Sequence, residues 1–197
     1  MANLNKPFGL RPVRTLNGSP YNGAVQKFIV PSGYGTSIFI GDPVTLGGTS
    51  DNIDGEETKY PTVIKGAIGG VFVGVVVGIV PVYGDLDVNY AVAGTKVAVL
   101  VATDPNLVFE VQGDVDALDI TDIGLNASLT FSTGVAATGV SNAVLDQSTA
   151  AATATLDFLI IGFSKRIGNE TTTAVSTYPV FEVRLNNHQY VDGVVGL

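Results

Sequence analysis

From Gly66 to Gly84 the chain runs 19 residues without a charged side chain, GAIGGVFVGVVVGIVPVYG, and what this stretch becomes decides the class of the protein. Its length approaches the ~20 apolar residues that a membrane-spanning helix needs. Gly70, Gly74 and Gly78 even repeat at the small-xxx-small spacing of membrane helix pairs. The residue types argue for strand instead. Val71, Val73, Val75 and Val77 alternate with Phe72, Gly74, Val76 and Gly78, β-branched side chains are dense, and Pro81 falls inside the run. No membrane association is therefore expected. The same glycines loosely resemble a phosphate-binding loop, but no Lys-Ser/Thr follows them and no βαβ spacing surrounds them.

Strand and turn signals continue on both sides. Residues 24–48 alternate in two short runs, Val25/Lys27/Ile29 and Ser37/Phe39 against Ile38/Ile40, separated by Gly and Pro. The polar segment 49–61 is expected as an exposed loop. Lys96 to Ala102 and Leu107 to Gln112 are expected strands, joined by a turn at Asp104 and Pro105. A short helix is expected near Val144 to Ala152, then a strand from Leu156 to Phe163. A last strand within 178–190 carries Phe181, Val183 and Leu185 on one face. Eight or more short strands at intervals of roughly 10 residues indicate an all-β fold, a single β-barrel or β-sandwich.

The chain has 197 residues, enough for one good core, and divides by composition into an extended N-terminal arm, 1–23, and a β-rich globular domain, 24–197. In the arm, Pro7 and Pro12 hold NKPFGLRPVR (5–14) extended. Charge is split along the chain. Residues 1–41 contain Lys6, Arg11, Arg14 and Lys27 and no acid, a local +4, whereas the remainder carries −12, for a net −8. Between Lys96 and Lys165 there are eight acidic residues and no Lys or Arg. Such a body would repel phosphate, so nucleic acid is not an expected partner. Hydrophobic content of 46% against 14% charged residues, with mean hydropathy +0.37, implies that part of the surface is covered by other copies or a partner. No apolar signal-peptide core is expected at the start.

Chemistry finds few residues to use. There is no Cys and one His, His188 in a turn-like NNHQY, so imidazole or thiolate metal sites are not expected. No Gly-x-Ser-x-Gly elbow accompanies that histidine. Asp114, Asp116, Asp119 and Asp122 invite a calcium reading, but their spacing is not that of the Asp-x-Asp-x-Asp-Gly loop, and a solvated acidic edge accounts for them. Neither enzymatic activity nor a cofactor is expected. A hydrolase built on a carboxylate pair remains a rival reading.

Several blocks resemble one family. ANLNKPFGLRPVRTLNGSPYNG, FIGDPVTLGG, VATDPNLVFEVQGD, DIGLNASL with ATGVSNAVLDQSTAAATATLDFLIIG after it, and the closing LNNHQY are similar to capsid decoration, or cement, proteins of tailed bacteriophages. The similarity spans nearly the whole chain, with NKPFGLRP and DPNLVFEVQ its most distinctive parts. GGVFVGVVVGIVPVYGDL departs from it, since more polar and aromatic residues are expected there. The resemblance implies a non-enzymatic virion protein on the outer surface of the capsid, assembled in the host cytoplasm. It further implies binding to the major capsid protein and to itself, commonly as a homotrimer, and a jelly-roll-like or β-tulip-like fold. A phage fibre or receptor-binding module is the alternative. The major capsid protein itself is disfavoured by the chain's length and by the lack of a long amphipathic helix.

On this view the basic strip is the candidate partner-binding site. Lys6, Arg11 and Arg14 supply charge contacts, Phe8 and Leu10 act as anchors, and residues 2–20 reach a neighbouring subunit or capsomer.

Overall fold

The computed structural model describes residues 3–53, 55–81, 86–114, 120–167, 169 and 178–191. These residues form strands β1 (Arg11–Thr15), β2 (Gln26–Val30), β3 (Pro43–Asn52), β4 (Lys59–Lys65), β5 (Gly74–Ile79), β6 (Val97–Ala102), β7 (Leu107–Gln112), β8 (Asn126–Thr130), β9 (Val144–Ala151), β10 (Phe158–Phe163) and β11 (Val180–Leu185). A single 3-10 turn, Ile120–Asp122, precedes β8. The fold is all-β. It consists of a closed barrel, β2-β4-β3-β5-β6, joined to a six-stranded sheet ordered β1-β7-β11-β10-β8-β9.

Alternation explains the barrel. Val97, Val99 and Val101 of β6 point inward with Phe28, Val30, Val44, Val63 and Val76, while Ala102 and Val75 face outward into the core of the second sheet. That second core gathers Phe109 and Val111 of β7, Phe158 and Ile160 of β10, Phe181, Val183 and Leu185 of β11, and Leu129 and Leu145. Phe72, just before β5, completes it from the barrel side, its ring 5.8 Å from that of Phe158. Barrel and sheet thus share a hydrophobic layer. Burial of each such large side chain contributes about 1.5–3 kcal/mol.

Polar ties reinforce the joint. Asp42, fully buried, accepts a hydrogen bond from Ser141 Oγ at 2.6 Å and pairs with Lys65 at 3.0 Å. Gly69 N donates to the buried carboxylate of Asp157 at 2.8 Å, and Phe72 exchanges backbone hydrogen bonds with Asn187 and Gln189. The six-stranded sheet curls as well, since Asp114 N donates to Leu145 O at 3.1 Å and brings edge strand β9 onto the end of β7.

Several local expectations change. Segment 49–61 is not wholly loop: Ser50, Asp51 and Asn52 pair with Pro61, Tyr60 and Lys59, so the β3–β4 hairpin extends beyond the barrel. Cross-strand and neighbouring charges, such as Lys96 to Asp51 at 3.2 Å, support it where no core does. Val144–Ala151 is strand β9 rather than helix. Pairing with β8 outweighs the helix preference of its alanines, and Ser128 N donates to Thr149 Oγ1 at 2.9 Å. The run 37–40 forms only single bridges, Ile38 to Ala91 and Ile40 to Val140. Within 66–84 the ladder covers Gly74–Ile79, and residues 82–85 lie outside the described set. No helix among the described residues is long and apolar enough to cross a membrane.

The N-terminal strip differs most. Residues 11–15, expected to stand outside the globular domain, form β1 at the edge of the six-stranded sheet. Leu10 is buried in that sheet's core, and its N–H donates to Gly41 O at 2.9 Å. The crossing depends on two glycines in the left-handed region, Gly9 (φ 67°) and Gly41 (φ 95°). A Cβ on Gly9 would stand 2.7 Å from the Gly41 carbonyl oxygen, and one on Gly41 would stand 2.8 Å from the Phe8 carbonyl oxygen.

Candidate binding surface

The five predicted residues lie together along one edge and end of the six-stranded sheet, held by groups that the sequence did not single out. Lys6 N donates to Gln112 Oε1 at 3.1 Å, and Gln112 Nε2 donates to Leu4 O at 2.8 Å. Asn3 Nδ2 reaches Asn169 Oδ1 at 2.9 Å and Tyr178 O at 3.1 Å. Asn169 is itself a buried hub that donates to Ser164 O and Val180 O and accepts from Val180 N. The strip is extended because of its prolines, and it is held in place by side-chain amides reading its backbone.

Its charges are matched by two glutamates. Arg11 is the register partner of Glu110 and lies 3.6 Å from it, while Arg14 pairs with Glu182 at 2.6 Å through Nη2 and 3.1 Å through Nε. Arg166 forms a close ion pair with Glu110, to which Ser164 Oγ also donates. Burial by itself would raise the Glu110 carboxyl pKa, but the hydrogen bonds from Arg166 and Ser164 and the charges of Arg166 and Arg11 carry it below the ordinary value. Phe8 sits between two guanidinium groups, with Arg11 Cζ at 4.9 Å and Arg166 Cζ at 5.2 Å from its ring centroid. Each such contact contributes on the order of 0.5–1 kcal/mol at an exposed site.

The predicted residues therefore divide. Leu10 serves the core, Arg14 is engaged by Glu182, Arg11 and Phe8 are half-engaged at the surface, and Lys6 presents its side chain to solvent. Two clefts flank them. One, of about 330 Å³, lies between strip and barrel and is lined by Phe8, Leu10, Pro12, Tyr21 and Val77. The other, of about 270 Å³, is lined by Leu4, Lys6, Phe8, Arg166 and Ile167, of which Leu4 is 73% and Ile167 fully exposed.

His188 is buried in a turn, where its Nδ1 accepts a hydrogen bond from Tyr190 N at 3.1 Å. Among the described residues no three His, Cys, Asp or Glu side chains gather closely enough to hold a metal ion. Of the aspartate cluster, Asp114 and Asp122 are described, and Asp116 and Asp119 lie outside the described residues.

Glu110, Glu182, Arg166, Gln112 and Asn169 went unread in the sequence. One signal was available, the tetrapeptide VFEV, which occurs at 108–111 and again at 180–183 and places a glutamate at the same point of two apolar strands. No protein-family model matches the chain, and neither a curated protein nor a solved structure matches it. Fold and site together define an all-β protein that carries basic and exposed apolar side chains along its N-terminal strip.

Proposed function

We propose that the chain is a structural virion protein that binds the outer surface of a phage capsid and stabilises the head through many inter-subunit contacts, as trimers. The observation that carries this reading is the NKPFGLRP strip, the most distinctive block of the resemblance. Its exposed Lys6, with Leu4 just ahead of the block, frames a surface cleft with Ile167, while its buried Leu10 and the hydrogen bond from Lys6 N to Gln112 fix it to the sheet. A surface of this kind suits binding in many copies, where avidity multiplies a modest single contact.

The test mixes purified protein with heads lacking it and images them. Coated heads whose coat is lost on Lys6→Glu with Leu4→Asp support the proposal. Bare heads, or coating indifferent to both substitutions, would refute it. Deleting residues 2–14 is not a suitable test, because it would also remove Leu10 from the core and most of β1 from the sheet.

A further inference from the structure

Four of the exposed large apolar side chains sit at one end of the six-stranded sheet. β10 runs from Phe158, packed against Phe72 at the barrel, to Phe163, and the loops beyond that far end carry Leu4 and Ile167. The turn before β8 lies alongside, since Gly124 N donates to Ile160 O and Ile160 N to Leu125 O, both at 2.9 Å, and it presents Ile120 at 63% and Ile123 at 39% exposure. The two apolar pairs differ in electrostatic setting. Leu4 and Ile167 are accompanied by Lys6 and Arg166 in a concave site, whereas Ile120 and Ile123 flank Asp122 on an exposed turn, within a stretch of sequence rich in acid and devoid of Lys and Arg.

We propose that these are the two halves of a self-association surface: the Leu4/Lys6/Ile167 cleft of one copy receives the Ile120/Asp122/Ile123 turn of a second copy. A second copy fits because a single chain supplies both complements. Apolar groups meet apolar groups, and the local charges are opposite, which sets orientation and register. Used reciprocally by two copies the contact closes a two-fold dimer, and used head to tail it generates a ring where its rotation closes. This deepens the capsid-binding reading by naming another copy as a partner of the same surface, yet association in solution needs no capsid.

The natural absence of cysteine makes the contact directly testable. In the full chain carrying Ile120→Cys and Ile167→Cys together, oxidation is expected to give covalent oligomers on a non-reducing gel that neither single substitution gives. Light scattering is expected to show an oligomer for the natural chain and a monomer for Ile167→Asp, with the circular dichroism spectrum unchanged and the melting temperature lowered only by the lost association. A monomeric natural chain, an oligomer indifferent to Ile167→Asp, or a disulfide closed within one chain would overturn the proposal. A monomer that still coats heads would overturn it while leaving capsid binding intact.

Discussion

Glu110 of β7 and Glu182 of β11 are direct cross-strand partners, two carboxylates side by side on the same face of one sheet. Like charges so placed are destabilising. Here Arg166 and Arg11 hold the first and Arg14 the second, so the N-terminal strip and the segment after β10 supply the cations that let β7 and β11 pair. The basic strip found in the sequence is, in its first role, the counter-charge of its own sheet.

Removing Arg14 should therefore cost more than an ordinary surface ion pair. With Arg14→Leu, Glu182 loses the guanidinium it pairs with and faces Glu110 uncompensated, and stability should fall by about 1–3 kcal/mol, between the values for exposed and for buried pairs. The double substitution Arg14→Leu with Glu182→Leu should recover most of the loss. Urea unfolding of the two singles and the double gives the coupling energy directly.

Two buried carboxyls should give opposite pH signatures. Glu110 has its pKa lowered in the folded chain, so its contribution is present above the unfolded carboxyl value and is lost as pH falls through the folded one. Asp157 has its pKa raised, chiefly by burial, against the hydrogen bond that Gly69 N donates to its carboxylate. Its contribution is present below the unfolded value and is lost as pH rises through the folded one. Arg166→Gln should thus flatten the acid loss of stability, and Asp157→Asn should stabilise at neutral pH with the gain vanishing in acid. Unfolding free energies measured from neutral pH to about pH 3 check both signs.

Strands with clean alternation were legible. Leu107–Gln112 was located to the residue, and the apolar face of β11 follows from Phe181, Val183 and Leu185. Legibility failed where long-range pairing decides the local state. Arg11–Thr15 reads as an arm because Pro12 suits an edge strand as well as an unpaired segment. Val144–Ala151 reads as helix because its alanines say nothing of β8. The Gly9–Gly41 crossing and the Glu110–Glu182 pair join residues far apart in sequence, and register across such distances is set by topology that no single stretch encodes.

The Asp42–Lys65–Ser141 cluster that ties barrel to sheet should respond unequally to its two partners. Lys65→Met leaves a fully buried carboxylate without its cation and should cost about 3–5 kcal/mol. Ser141→Ala leaves the buried Asp42 Oδ1 without its donor and Ala143 N without its acceptor while Phe39 N and Lys65 still hold Oδ2, so about 1–3 kcal/mol is expected. Thermal melts of both variants, with intrinsic tyrosine fluorescence as a second probe, would expose any uncoupling of the two β units.

Leu10 in the strip and Leu4 just ahead of it, six positions apart, should separate folding from binding. Leu10 is 2% exposed within a core that includes Phe72 and Phe109, so Leu10→Ala should destabilise by about 2–5 kcal/mol. Leu4 is 73% exposed, so Leu4→Asp should shift stability by no more than about 0.5 kcal/mol while weakening association with its partner. Chemical denaturation alongside a head-binding assay distinguishes them. If Leu4→Asp melted the protein, or if Leu10→Ala left it as stable as before, the division of the strip into a buried anchor and an exposed contact would be wrong.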